Sequence, residues 1–426
     1  MTILIVGGGW SGLAAAITCV QQGESVHLIE SAKQLGGRAR NVSWGARTID
    51  NGQHLMIGAY DRMLAMMQSI GIDTAEVFDR QAMDLVIHDT QYPPLRLSSK
   101  SYLPWPLSLA WNLASSAGMS GLKRVSKLQS DIERVLSLED ITVSKWLLSS
   151  GQSQRLVRQL WEPLCLATLN TPIEEASAHL LAIVLRDSMG KGKSSADTLI
   201  PRQPLGDLFP KAAAKYIQEH GGKISLKTRV KALIVEDNKV KRLVTDDDSR
   251  LEGDTVIVAT NVSQSHTLLS PHMNFHLPEE YPICTVYLQY AEDTRLNAPM
   301  LGMSGTTSQW IFDRSEQTPG LMAVVISAPG KHESMAKGEL ISLVCAEVHQ
   351  LFPSMPEQAE QGLVIREKRA TFACTVGIEK QRPEYKTDIT GLWLAGDYVA
   401  NNYPATLEGA IRNGENCAKQ VVASLK

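Results

Sequence analysis

Residues 2–30 read TILIVGGGWSGLAAAITCVQQGESVHLIE, and this stretch decides the fold. Ile3 to Val6 form a continuous apolar run of the kind that becomes a parallel strand buried on both faces. Gly7, Gly9 and Gly12 follow at once with G-x-G-x-x-G spacing, and Leu13 to Val20 continue as an alanine-rich helix with no breaker. Each glycine has a mechanical role. Gly7 allows the tight turn, Gly9 lets a pyrophosphate approach the backbone, and Gly12 lets helix and strand pack closely. The phosphates then sit beside Trp10 and Ser11 at the helix N-terminus, where the backbone dipole favours negative charge. Gln21 to Gly23 read as the helix exit and Ser25 to Ile29 as a second strand ending on Glu30, whose carboxylate is placed to accept both ribose hydroxyls. Glycine-rich turns are common, but strand, glycines, helix, strand and terminal acid in this order predict a βαβ unit that binds a dinucleotide.

Leu35-Gly36-Gly37-Arg38 comes just after the acid. Two glycines free the backbone for close approach, and the arginine supplies forked donors for a pyrophosphate that the helix dipole only partly balances. That placement favours FAD over NAD. It resembles the extended fingerprint of the flavin amine oxidase and phytoene desaturase superfamily. The resemblance implies that the C-terminus returns to the first strand to hold the flavin, and a matching segment is present: Leu392 to Ala395 as a short strand, Gly396-Asp397, then a helix opening at Glu408-Gly409-Ala410 and reaching Gly414. It assigns Asp397 to a ribityl hydroxyl or the pyrophosphate and sets the helix N-terminus, at Ala405, Thr406 and Leu407, near the flavin carbonyl. Lys227 to Val235, Val240 to Thr245 and Thr255 to Thr260 read as strands, and the resemblance brings the backbone near Val230 against the adenine.

The expected fold is therefore α/β: a Rossmann-like FAD-binding lobe of the glutathione-reductase, amine oxidase type, interwoven with an α+β substrate lobe. The cofactor lobe takes residues 1–75, 204–265 and 376–426, and the substrate lobe takes 76–203 and 266–375. With 426 residues the chain has ample surface to bury without a disulfide or metal staple. Its 42 basic and 45 acidic side chains are spread along the chain and give no electrostatic footprint for nucleic acid. The six cysteines lack the close pairs of a zinc site or a secreted disulfide framework, and the opening lacks a basic n-region. A cytoplasmic protein with free thiols is the expectation.

Fold and cofactor do not fix a reaction. Asp50-Asn51-Gly52-Gln53-His54 sits where the superfamily's chain leaves the cofactor lobe beside the flavin, and Trp161-Glu162-Pro163-Leu164 precedes Leu169-Asn170-Thr171-Pro172. With the opening GGGWSGLAAA these passages resemble the hydroxysqualene dehydroxylases, nearly end to end. The resemblance implies a long-chain isoprenoid substrate, loss of an allylic hydroxyl with reduced flavin as hydride donor, and a dry pocket with an acid. Leu147, Leu148, Leu156, Leu160, Trp161, Leu164, Leu166 and Leu169 are apolar enough for such a pocket, although such residues are more often core. His54 is the candidate acid, since an imidazole can donate a proton near neutral pH; holding a turn by a hydrogen bond is an equal reading. Gln53, Asp50 or Glu162 could orient the substrate or donate through water.

Three rival readings stay open. A carotenoid-type desaturase would run the flavin in the opposite direction, an amine oxidase would draw a cage from Tyr398 and Tyr403, and a structural subunit would hold FAD without turnover. The electron donor is not legible, because Gly221-Gly222 lacks the strand and helix of a second dinucleotide site. Ser101 to Leu122 carries no charged side chain, includes Trp105 and Trp111, and ends at Lys123, Arg124 and Lys127. Its prolines and serines argue against a bilayer crossing, and its tryptophans with flanking cations suit an interfacial element or a lipid entrance, against a plain internal helix.

Overall fold

The computed structural model describes residues 2–100, 103–190 and 192–426. Ser101 and Tyr102 of the uncharged segment therefore lie outside the described residues. Thr2–Val6 is the centre of a five-stranded parallel sheet ordered Lys223–Ser225, Ser25–Ile29, Thr2–Val6, Thr255–Val258, Leu392–Leu394. Ile5 lies in register between Leu28 and Ile257. The apolar run is continuous because both faces are covered. Ile3, Ile5, Leu28 and Ile257 pack with the helix Trp10–Gln21, whereas Leu4, Val6, Ile29 and Val258 pack with Leu233, Val240 and Leu243 of an antiparallel meander. That meander is Val230–Glu236, Lys239–Thr245 and Arg250–Glu252.

Trp10 to Val20 are all buried, since the helix also packs on Leu407–Leu425 and Pro210–Glu219. The C-terminal helix crosses it at Gly414, where a Cβ would stand 2.1 Å from the Ser11 carbonyl oxygen. This crossing corrects one sequence expectation. Gly414 is not the end of the helix, which runs on to Leu425; the glycine is there for close approach. The meander likewise starts at Val230 rather than Lys227, because Lys227 has φ of 53° and belongs to a turn.

A second sheet has seven strands in the order Gln361–Phe372, Glu280–Gln289, Leu321–Ser327, Trp310–Asp313, Met300–Ser304, Asp84–Asp89, Leu95–Ser98. All its pairs are antiparallel except Met300–Ser304 with Asp84–Asp89. Helix Lys337–Leu351 covers one face through Leu340, Val344 and Val348. Helices between Trp105 and Gly190 pack through Trp146, Leu160 and Leu180 into the same core as the meander. Every strand of the parallel sheet falls in 1–75, 204–265 or 376–426, and on that ground we propose those stretches as the cofactor lobe.

Candidate functional site

Beyond the carboxyl ends of Thr2–Val6 and Ser25–Ile29, where open α/β sheets hold ligands, lies a cavity of 620 Å³. Cofactor sites occupy about 300–1,000 Å³. Its wall contains Gly7, Gly9, Trp10, Ser11, Glu30, Gly37, Arg38, Val230, Gly396, Asp397, Ala405, Thr406 and Leu407. The sequence had marked all of them. Gly12 does not line it; a Cβ there would stand 2.0 Å from the Gly7 carbonyl oxygen, so its role is the packing of helix on strand.

The residues fit a dinucleotide diphosphate. The helix Trp10–Gln21 begins at Gly9 without a side-chain cap, which leaves its first-turn amides for a ligand. The Ser11 hydroxyl and the Trp10 indole N–H are buried with no hydrogen-bond partner among the described residues, a condition that calls for one. Gly36 N donates to Gly8 O at 2.9 Å, docking the second glycine turn on the first. A Cβ on Gly37, whose φ is 61°, would lie 3.2 Å from Gly9 Cα, so the two turns share a floor that glycine alone permits. Glu30 is pinned: Gly8 N and Ala32 N donate to its two oxygens at 2.7 Å each, with lone pairs left for ribose hydroxyls.

At the other end Arg38 donates to Asp397 at 2.7 Å and to the Ala370 carbonyl at 2.6 Å, so the two charged candidates face one another across the wall. The C-terminal helix starts beside them, capped by the Thr406 hydroxyl, which accepts from Gly409 N at 3.0 Å.

Gln53 and His54 also line the cavity, but Asp50 does not. Asp50 is 4% exposed; its carboxylate accepts Leu205 N at 2.7 Å and stands 3.9 Å from Arg314. Burial raises its pKa to about 6. Its place is to hold the Leu205 turn, and the expectation that it touches substrate is corrected accordingly. The Tyr287 hydroxyl donates to the Asp50 carbonyl at 2.8 Å, and that acceptor can take only a donor. Tyr287 Oη must then accept from Gln53 Nε2, also at 2.8 Å, which leaves Gln53 Oε1 as the free end of the amide.

His54 Nδ1 lies 3.1 Å from the Gly52 carbonyl oxygen, so Nδ1 carries the proton and Nε2 is an acceptor. Burial, helped by Arg38, pushes the His54 pKa down to about 4. Around neutral pH this imidazole accepts hydrogen bonds and is not the proton donor expected from sequence.

Other expectations are corrected by placement. Glu162 does not line the cavity, nor do Leu147, Leu156, Leu160, Trp161 and Leu169, which are core, nor Leu148, which is 81% exposed. Asn170 is a buried tie: its amide nitrogen donates to Thr371 Oγ1 at 2.9 Å and its oxygen accepts Ala328 N at 2.7 Å, joining the helices to the seven-stranded sheet. Sequence reasoning missed Ile283, Thr285, Glu367, Arg369 and Thr371, which also line the cavity. They alternate along two neighbouring strands, Glu280–Gln289 and Gln361–Phe372, and that period of two was the one available signal.

The profile of flavin containing amine oxidoreductases matches residues 10–422. The chain belongs to that family. It is an FAD-dependent oxidoreductase. It is 26% identical over 422 residues to hydroxysqualene dehydroxylase of Zymomonas mobilis, covering 97% of each chain. It is 23% identical to 15-cis-phytoene desaturase of Capsicum annuum, covering 99% of this chain and 78% of that one. Among solved structures, a putative protoporphyrinogen oxidase from Exiguobacterium superposes with a TM-score of 0.75 at 17% identity over 99% of both chains, a likeness of fold. The fold is thus the amine oxidase type expected. An aromatic cage from Tyr398 and Tyr403 is not formed, since neither lines the cavity: Tyr398 donates to Ser265 at 2.9 Å and Tyr403 bonds Asp187.

Proposed function

We propose that this flavoenzyme converts hydroxysqualene to squalene by reductive dehydroxylation, in squalene and hopanoid biosynthesis. The observation that carries the reading is the end-to-end likeness to the Zymomonas mobilis dehydroxylase. The hydroxyl carbon is allylic, so positive charge left when the oxygen departs as water is delocalised. Bound and reduced, FAD would supply the hydride to that carbon and release one proton as it is reoxidised, which balances the one proton the departing hydroxyl takes up to leave as water. The glycine turns, the helix N-terminus at Gly9 and Arg38 hold the diphosphate, Glu30 the ribose, and Asp397 the ribityl end. The substrate hydroxyl, with one proton to give, donates to Gln53 Oε1 or to His54 Nε2, and that bond orients it. Leu268, Ile283 and Leu407 make the apolar wall that keeps water out.

The partners of this reading are a long-chain isoprenoid, an electron donor and the upstream enzymes of the squalene pathway. The chain works from the cytoplasm at the inner membrane face, where such a substrate dissolves, and no helix among the described residues is long and apolar enough to cross a membrane. A second reading, desaturation of a polyene precursor, is favoured by the likeness to phytoene desaturase. One anaerobic experiment separates them. Hydroxysqualene added to the reduced enzyme is expected to reoxidise the flavin with squalene formed in step, measured by gas chromatography. Reduced flavin unmoved by hydroxysqualene, with oxidised enzyme reduced by a polyene, establishes the second.

A further inference from the structure

The helix Trp105–Ser130 is apolar on two sides: Leu109, Leu113 and Ala117 pack on the core, while a second set of large apolar side chains faces out. Ser108, Asn112 and Ser116, one turn apart, point at the protein and donate to the backbone of strand Leu95–Ser98: Ser108 and Asn112 to Ser98 O at 3.0 and 3.3 Å, Ser116 to Arg96 O at 3.2 Å. The outward side carries Leu107 and Trp111, 56% and 69% exposed, following Leu103 at 47%. A helix packed for water keeps the side away from its core stripe polar. Here Leu107 and Trp111 stand outside beside the stripe that Leu109 and Leu113 lay on the core, while Ser108 and Asn112 find their partners inside.

Gly118 has φ of 74° and breaks the helix in two. Met119, 62% exposed, opens the second run, which presents Lys123, Arg124 and Lys127 to solvent. None of these three cations forms an ion pair among the described residues. Between Asp89 and Asp131 the sequence has five basic side chains and no Asp or Glu. The basic run is tied to a neighbouring turn: Gln152 donates to Arg124 O at 2.8 Å and Arg124 donates to Gly151 O. In that turn stands Leu148, at 81% the most exposed large apolar side chain among the described residues.

We propose that this face seats in the surface of an anionic phospholipid bilayer, with Leu103, Leu107, Trp111 and Met119 among the acyl chains and Lys123, Arg124 and Lys127 on the lipid phosphates. The proposal rests on the membrane-surface reading above and adds the docking face and the charge of the lipid. A bilayer suits the face better than a second copy of the chain. A two-fold contact would bring the same three cations against their equivalents, with no acid in the segment to offset them. An anionic lipid surface meets both halves at once.

The test uses the full-length flavin-bound enzyme, sedimented with vesicles of phosphatidylcholine alone or mixed with phosphatidylglycerol. Binding is expected to the mixed vesicles and to weaken with salt, with Trp111 fluorescence shifting to the blue against a Trp111→Phe control. Lys123→Gln/Arg124→Gln/Lys127→Gln is expected to lower the partition coefficient roughly 100-fold, about fivefold per cation. Leu107→Ser/Trp111→Ser is expected to abolish the binding, with flavin content and turnover of detergent-dispersed hydroxysqualene unchanged. Equal binding to neutral vesicles overturns the anionic assignment but leaves the membrane reading standing. No binding to either overturns both, and so does a lipid-free dimer that the Leu107→Ser/Trp111→Ser chain fails to form. Loss of squalene formation with vesicle binding intact defeats only the reaction.

Discussion

His54 and Asp50, four residues apart, are shifted in opposite directions by the same cause, and this sets a pH dependence that two substitutions expose. Burial lowers the imidazole from 6.5 to about 4 and raises the carboxyl from 3.8 to about 6. Between these values the unfolded state holds more protons at His54, so its contribution is full above pH 6.5 and falls as pH drops toward 4. The folded state holds more protons at Asp50, so its contribution is absent near pH 7 and grows as pH falls through 6. At about 1.36 kcal/mol per pKa unit, acidifying from pH 7 to 4 removes about 3 kcal/mol through His54 and adds about 2 kcal/mol through Asp50. The two nearly cancel in the parent. Urea unfolding of the flavin-free protein across that range is the assay, read as the difference between each variant and the parent. His54→Gln is expected to gain about 3 kcal/mol relative to the parent on acidification, and Asp50→Asn to lose about 2 kcal/mol. Parallel curves for parent and variants would show that neither group is buried in this way, and the acceptor role of His54 would fall with them.

Other outcomes follow from single contacts. Tyr287→Phe keeps the ring but frees the Gln53 amide and strands the Asp50 carbonyl; about 1–3 kcal/mol of stability and about tenfold in kcat/KM should go, with FAD content unchanged. Unchanged kinetics in that variant would remove Gln53 orientation from the mechanism. Gly414→Val forces a Cβ to within 2.1 Å of Ser11 O, so thermal unfolding should show a loss of at least about 3 kcal/mol, and absorbance a loss of bound flavin. Arg38→Met leaves Asp397 without its cation beside the diphosphate; fluorescence titration should find FAD bound about 10- to 100-fold more weakly, and Asp397→Asn less affected.

What was legible in the sequence was what depends on local chain geometry. Gly7, Gly9, Glu30 and Gly37 each answer to a turn or strand end within forty residues of the N-terminus, so spacing alone located them, and the cavity wall holds them all. Asp397 and Thr406 were reachable because a short apolar strand and a helix start flank them. The opposite wall was not. Thr285 and Glu367 lie on neighbouring strands eighty residues apart in sequence, and only the antiparallel register of Glu280–Gln289 with Gln361–Phe372 brings both to the cavity. Asp50 misled for the converse reason. It adjoins true lining residues in sequence, but the strand Arg47–Asp50 ends with its carboxylate turned toward Leu205, a contact 155 residues away that no local pattern encodes. His54 shows the same limit in its chemistry: an imidazole's donor role depends on burial, and burial is a property of the assembled wall.

The pattern extends to the outward face. Periodicity in Trp105–Ser130 reads equally as core or interface, because Leu107 and Trp111 are one turn apart whichever way the helix is rolled. What decides the roll is the strand Leu95–Ser98, whose carbonyls at Arg96 and Ser98 accept Ser108, Asn112 and Ser116 and so turn Leu107 and Trp111 outward. A sheet edge needs donors for its free carbonyls, and the serines and asparagine that supply them fix a roll that buries Leu113 and leaves Leu107 and Trp111 outside. The cavity and the outer face thus obey one rule: hydrogen bonds between distant segments choose which side of a sequence pattern does chemistry, and which side meets the surroundings.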